Sequence, residues 1–284
     1  MSIKRVGVVG SGIMGAGVAE VAAKSGFEVV LRSRTRQAAD AMLAGLDTSL
    51  TRQVKKGRLE ESAADDVRAR VSAVTAIDEL GACELVLESI VEDLATKQDL
   101  FRELDRLCAP SAILATNTST LPVVDLAVVT TRPDRVCGIH FFNPAPAMSL
   151  VEIVPAITTS DETLDEARTF VAACGKTAVT VKDQAGFVVN ALLFPYLNHA
   201  IRLFDAGVAS RDDIDTAMKG GCNFPMGPLE LLDLVGLDTS LAILDALYAE
   251  FRDPNFAPAP LLRRMVAADR LGRKSGAGFY DYSG

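Results

Sequence analysis

The sequence predicts a doubly wound α/β domain followed by an all-α domain. Three observations carry this: a glycine-rich turn between an apolar run and a helical stretch near the N-terminus, short apolar runs alternating with helical segments up to about residue 183, and helical periodicity without strand signals thereafter. Residues 5–9 (RVGVV) are an apolar run ending in GSGIMG, and residues 13–24 carry the small and apolar side chains of a tightly packed helix. After Gly26, residues 28–31 read as a second buried strand, which completes a β-α-β unit of about 30 residues and implies a parallel sheet. Residues 36–56 form a longer, partly basic helical stretch, and residues 84–89 (ELVLES), 112–115 and 136–140 read as further strands. Strands at 150–154 and 178–181 flank a helix over 161–174. Beyond Gly186, helices are predicted over 187–206, 211–219, 228–251 and 260–269.

A chain of 284 residues, 49% hydrophobic and 23% charged, has enough apolar content for one large core or two moderate ones. Its formal charge of −8 argues against nucleic acid or an anionic membrane as the main partner, since either calls for a basic face. The five cysteines, Cys83, Cys108, Cys137, Cys174 and Cys222, are far apart and never form C-x-x-C, so they are expected to be reduced thiols packed in the core, and no metal site is predicted. The opening MSIKRVGVVG lacks a signal-peptide apolar region, and no apolar run approaches the roughly 20 residues that span a bilayer, so a cytoplasmic location is expected.

Gly10-Ser11-Gly12-Ile13-Met14-Gly15 fits G-x-G-x-x-G after a strand and before a helix, the setting in which backbone amides and a helix N-terminus meet a pyrophosphate. The first domain is thus expected to be Rossmann-type and dinucleotide-binding over residues 1–184, with residues 185–284 forming the helical domain. NAD preference usually goes with an acid at the end of the second strand, where this chain has Leu31-Arg32-Ser33-Arg34. An anion there would repel a 2′-phosphate, whereas Ser33 and Arg34 can hydrogen-bond and neutralise it, so NADP(H) is favoured and NAD(H) possible. The plainer alternative is that Arg32, Arg34 and Arg36 are solvated and the site accepts NAD without an acidic partner. His140 ends a predicted strand in GIHFFNPAP, on the side where an open parallel sheet places its ligands, and Glu152 is a lone acid in the apolar strand LVEIV. A carboxylate within reach of imidazole would orient the ring and stabilise its charged form. His199 has no comparable setting.

Taken in order, GSGIMGAGVAEVAAKSG, LVLESIVEDLATK, ATNTSTLP, IHFFNPAPAMSLVEIV, KDQAGFVVN, PMGPLELLDLVGLD and GRKSGAGFY resemble the 3-hydroxyacyl-CoA dehydrogenase family nearly from end to end, and most of all its short, single-function bacterial 3-hydroxybutyryl-CoA members. The resemblance implies that His140 and Glu152 are the catalytic pair and that Ser119 and Asn190 contact substrate. It further implies cofactor contacts at Glu92, Lys97, Asn117, Ser119 and Lys274, and CoA contacts at Ser49, Lys56 and Ser119. Independently of it, Arg52, Lys55 and Lys56 share a helix face at i, i+3 and i+4 and could meet CoA phosphates, although a solvated basic face explains them equally well. The implied reaction is reversible conversion of 3-hydroxybutyryl-CoA and acetoacetyl-CoA, in a cleft between two domains of a homodimer. This chain departs from the family pattern at Ser33, where aspartate is usual, and at Ala191, where arginine often follows the active-site asparagine. Two other readings stay open at this point: a dehydrogenase of a CoA-free hydroxy acid, and a noncatalytic nucleotide-binding or structural protein on the same fold.

Overall fold

The computed structural model describes residues 3–283, and the chain divides between Asp183 and Gln184 into two compact units. In the first unit, β1 (Arg5–Val9), α1 (Ile13–Lys24), β2 (Glu28–Arg32), α2 (Arg36–Lys55), α3 (Glu61–Arg70) and β3 (Val71–Val74) are followed by β4 (Leu85–Glu88), α4 (Leu94–Leu107), β5 (Ile113–Thr116) and α5 (Val124–Ala127). Then come β6 (Val136–Phe141), β7 (Leu150–Pro155), α6 (Asp161–Ala173) and β8 (Thr177–Thr180). The strands form one eight-stranded sheet in the order β3-β2-β1-β4-β5-β6-β7-β8. Every pairing in it is parallel except that of β6 with β7. The chain winds outward from β1 to β3 and then places β4 on the other side of β1. The carboxyl ends of β1 and β4 thus lie side by side at the switch of strand order, where open α/β sheets bind their ligands.

The sequence dictates this arrangement through continuous rather than alternating burial. Strands β4, β5 and β6 are buried along their whole length, as a sheet covered on both faces requires, whereas the edge strand β8 is largely exposed. Helix α1 buries Gly15, Val18, Ala19, Val21, Ala22 and Ala23, small side chains that let it lie close against its neighbours. Its buried Glu20 is satisfied by Lys24 at 2.5 Å and by the Gln53 amide at 2.8 Å.

The second unit contains α7 (Val189–Asp205), α8 (Arg211–Cys222), α9 (Pro228–Val235), α10 (Leu237–Phe251) and α11 (Pro260–Ala267), with its own core around Phe194, Leu197, Ile201, Leu229, Leu232, Leu244 and Leu262. A C-terminal tail, pinned by isolated bridges from Ala277 to Gly272 and Asp281, closes on Asp233. The buried Asp233 carboxylate accepts hydrogen bonds from the Phe279 amide (2.9 Å), the Tyr280 amide (2.8 Å) and the Tyr282 hydroxyl (3.2 Å). Asp215 does the same at the start of α9, accepting from the Leu229 and Glu230 amides at 2.8 and 3.0 Å.

Two expectations, one helix over 228–251 and five buried cysteines, are corrected, and one unread stretch is filled in. The helix expected over 228–251 is two helices, because Gly236 takes φ +101° and breaks it although the apolar spacing runs on through the glycine. Residues 61–74, given no elements from sequence, form α3 and β3; α3 buries only Ala64 and Val67, so its apolar stripe is too thin to read. The second unit is helical as expected, with two isolated bridges in its tail. Of the five cysteines, four are buried, but Cys222 is exposed at the end of α8, just past Gly220 and Gly221, where the chain leaves the helix through Asn223 at φ +57°.

A second set of acids, the buried Glu88 and the exposed Glu92, fixes the loops at the carboxyl edge of the sheet. Glu88, fully buried at the end of β4, accepts from Lys97 of α4 at 2.5 Å, from Thr116 at 2.7 Å and from the Ile90 amide at 2.7 Å. Lys97 also lies 3.2 Å from Glu92, whose other oxygen accepts from the Thr118 hydroxyl at 2.5 Å and the Ser119 amide at 3.0 Å. Burial pushes the Glu92 pKa up, but the Lys97 charge and the bonds from Thr118 and Ser119 outweigh it and hold the carboxyl below its ordinary value of 4.5.

Replacing Asp233 by alanine strands two buried amides and is expected to destabilise the chain by roughly 3 kcal/mol, measured by urea unfolding. For Glu92 the folded pKa lies below the unfolded one. Its contribution is therefore complete above the ordinary glutamate value and is lost as pH falls through the depressed one. Glu92→Gln is expected to flatten the fall in unfolding free energy between about pH 5 and pH 3; an unchanged slope would show that this charge does not hold the loop.

Candidate active site

The turn from Gly10 to Gly15 has the shape a phosphate needs. Gly10 has φ +131°, and a Cβ on it would lie 2.3 Å from the Ser89 carbonyl oxygen, so only glycine lets β1 and β4 end this close together. A Cβ on Gly15 would lie 2.1 Å from the Gly10 carbonyl oxygen. At Gly12 nothing lies within 4 Å of the Cβ position, so the backbone there faces open space, and no side chain caps α1. An anion can thus approach the amides of the first turn, where the helix dipole favours it. Ser11 is exposed, Ile13 stands 77% exposed beside the turn, and Met14 is half-buried against the core.

Around this turn two hydroxyls, those of Ser33 after β2 and Ser89 after β4, are buried without a hydrogen-bond partner among the described residues. Such groups cost about 1–3 kcal/mol each until a ligand or water satisfies them. Of the three arginines near Ser33, Arg32 donates to the Thr75 carbonyl at 3.2 Å and Arg36 pairs with Asp40 at 2.7 Å. Arg34 is exposed and has no ion-pair partner among the described residues.

One strand further along, Asn117 links three strand ends. Its amide donates to the Glu88 carbonyl at 2.8 Å, and its side-chain oxygen accepts from the Phe141 amide at 2.8 Å. Glu92, Lys97, Asn117 and Ser119 thus come together at one edge of the sheet. Lys97 is only 1% exposed, its ammonium spent on Glu88 and Glu92. Sequence reading missed Glu88, the acid that anchors this group; the only trace was a charge inside the otherwise apolar LVLES.

The antiparallel β6–β7 ladder sets His140 directly opposite Glu152. The two side chains meet with His140 Nδ1 2.9 Å from Glu152 Oε2; the carboxylate is fully buried and the ring nearly so, with Phe142 packed edge-on at 4.6 Å. A carboxylate on Nδ1 fixes the orientation of the ring, the arrangement a general acid-base imidazole needs.

The remaining expected residues lie apart from this edge or in the other unit. On α2, Ser49 accepts from the Gln53 side chain at 3.1 Å, while Arg52, Lys55 and Lys56 are exposed along one face at the helix end. In the second unit, Asn190 is buried in the first turn of α7, and Lys274 donates to Asp238 at 2.5 Å. Among the described residues no group of three or more His, Cys, Asp or Glu could hold a metal ion, and no helix is long and apolar enough to cross a membrane.

Comparison with known proteins places this geometry. Residues 5–184 match the family model described as 3-hydroxyacyl-CoA dehydrogenase, NAD binding domain, and residues 186–282 match the one described as 3-hydroxyacyl-CoA dehydrogenase, C-terminal domain. The chain is 46% identical to a 3-hydroxybutyryl-CoA dehydrogenase of Clostridioides difficile, over 98% of this chain and 99% of that one. Among solved structures, M. tuberculosis FadB2 aligns with a TM-score of 0.98 and 45% identity, covering 99% of this chain and 100% of that one. The (S)-3-hydroxybutyryl-CoA dehydrogenase PaaH1 of Ralstonia eutropha aligns with a TM-score of 0.96 and 43% identity, over 100% of both chains. With both of its units matched in order and near-complete coverage by these relatives, the chain belongs to the 3-hydroxyacyl-CoA dehydrogenase family.

Proposed function

We propose that this chain reversibly interconverts short 3-hydroxyacyl-CoA and 3-ketoacyl-CoA thioesters, chiefly 3-hydroxybutyryl-CoA and acetoacetyl-CoA, using NADP(H) in preference to NAD(H). The observation that carries the reading is the buried His140–Glu152 contact of 2.9 Å, in a chain 46% identical over nearly its full length to a 3-hydroxybutyryl-CoA dehydrogenase. In the oxidative direction His140 takes the proton of the C3 hydroxyl on its Nε2, and in the reductive direction it returns a proton to the ketone oxygen. Glu152 stays on Nδ1 and supports the charge that the ring acquires. A bound nicotinamide supplies the hydride acceptor or donor.

The residues around the glycine turn fit such a cofactor. The Gly10 amide is held by the Arg32 carbonyl at 3.1 Å, and the turn from Ser11 through Gly12, Ile13 and Met14 to Gly15 would cradle the pyrophosphate, with Gly12 open to it and the exposed Ile13 beside it. Ser33, with its unpartnered hydroxyl, and Arg34, with its uncommitted guanidinium, take the adenosine ribose and its 2′-phosphate. Asn117 and Ser119 line the nicotinamide side, held by the Glu92–Lys97 group. Ser49 and Lys56 receive CoA, and Asn190 and Lys274 take the substrate and nucleotide roles that the family pattern gives them. A homodimer formed through the helical unit and a cytoplasmic location belong to the same proposal; Leu192 on α7, 72% exposed, is an apolar side chain that a second chain would cover.

The test is the initial rate of cofactor oxidation with acetoacetyl-CoA, with NADPH and NADH compared at equal concentration and acetoacetate as the CoA-free control. Turnover with the thioester alone, faster with NADPH, is expected; faster turnover with NADH would overturn the Ser33 and Arg34 argument and leave the reaction standing. Ser33→Asp is expected to shift the NADPH/NADH ratio toward NADH by about tenfold, since a carboxylate beside a 2′-phosphate is a like-charge contact. His140→Ala is expected to lower kcat by about 10³-fold, and full turnover in that variant would sink the mechanism.

A further inference from the structure

Lys176 lies outside everything assigned above. It follows α6 and Gly175, which turns the chain at φ +67°, and it immediately precedes the edge strand β8. Its ammonium reaches back to the loop of residues 142–149 that joins β6 to β7. There Nζ donates to the carbonyls of Ala145 at 2.9 Å, Pro146 at 3.3 Å and Met148 at 2.7 Å. An ammonium has three N–H donors, and here three carbonyls of a single loop take them. The Thr177 amide bonds Ser149 at 2.7 Å, so the loop's exit is tied to the same segment. On its other side the loop packs against α1, where a Cβ on Gly17 would lie 3.2 Å from Ala145 Cβ and 3.3 Å from Pro146 Cδ. The held loop therefore runs from two residues beyond His140 to three residues before Glu152 and rests on the helix that starts at the glycine turn.

We propose that Lys176 is a positioning residue for the His140–Glu152 pair. By gathering three loop carbonyls on one cation it sets the separation of the two strand ends that carry imidazole and carboxylate, and it holds them in register with α1. The inference rests on the reading of His140 and Glu152 as the proton-transfer pair. Loss of the cation releases the carbonyls to solvent and lets the strand ends splay, which lengthens the 2.9 Å contact and weakens the support Glu152 gives to a charged ring.

The experiment compares the parent chain with Lys176→Met, Lys176→Gln and His140→Ala in acetoacetyl-CoA reduction, recording kcat, KM and the pH dependence of kcat/KM, with urea unfolding as the check on folding. The glutamine variant keeps two N–H donors without the charge and is held to the same criteria, so the test stands if methionine is not accommodated. Expected for Lys176→Met is a fall in kcat of about tenfold, with KM for the thioester within about twofold. The limb of the kcat/KM profile that reports the imidazole is expected to move to lower pH, because the carboxylate supports the ring less well. An unchanged profile overturns the proposal. So does an upward move, which is what losing a distant positive charge alone would produce. A His140→Ala chain that turns over at the parent rate defeats the underlying reading instead; an inactive His140→Ala beside parent-like Lys176 variants defeats only the positioning role.

Discussion

One antiparallel ladder in a sheet otherwise paired in parallel decides where the chemistry sits. The β6–β7 register sets His140 opposite Glu152, with Ile139 against Ile153 and Phe141 against Val151 on the other face. Those four apolar residues are buried in the core of the first unit, so a slip of one residue would drive Glu152 into hydrocarbon and pull Val151 or Ile153 out. The packing on one face thus guarantees the contact on the other. A parallel return would have needed a crossover of a dozen residues or more, whereas the antiparallel one brings both side chains to the carboxyl edge with a loop of eight residues, 142–149.

Buried carboxylates at both ends of the sheet fix the loops around it, Glu88 at the carboxyl edge and Asp105 and Glu166 at the amino ends of the strands. Glu88 ties the end of β4 to α4 and β5, Asp105 accepts from Arg132 and the Thr131 amide, and Glu166 accepts from Arg135. The second unit applies the same device with Asp215 and Asp233, which hold the start of α9 and the C-terminal tail. A buried carboxylate is tolerable only when its lone pairs are filled, so each of these acids specifies one arrangement of the loops around it. The glycine turn works oppositely: it keeps side chains out, so that an anion can reach the backbone.

How much of this was legible follows from the kind of signal each part leaves. The parallel strands were visible because burial on both faces produces continuous apolar runs, and the glycine turn because a close approach of β1 to β4 tolerates nothing larger at Gly10. His140 and Glu152 could be nominated from their places on strands, but their contact depends on a register that no local pattern encodes. α3 escaped notice because its exposed face dominates its composition, and the break at Gly236 because apolar spacing ignores the φ of a single residue. Lys97 was expected, from the resemblance, to contact the cofactor; its burial against Glu88, nine residues earlier, could not be read because Glu88 in sequence is only a charge at a strand end.

The uneven placement of the five cysteines divides them by reactivity. Burial pushes the pKa of the Cys83 and Cys137 thiols up to about 12 and that of Cys174 up to about 11, which keeps them from the thiolate form that attacks alkylating reagents and disulfides. Cys222 alone among the five stands in solvent, at the end of α8. A maleimide fluorophore added to the unaltered chain would therefore settle on the helical unit at one known place, which makes that unit's motions observable without first stripping the other thiols from the sequence.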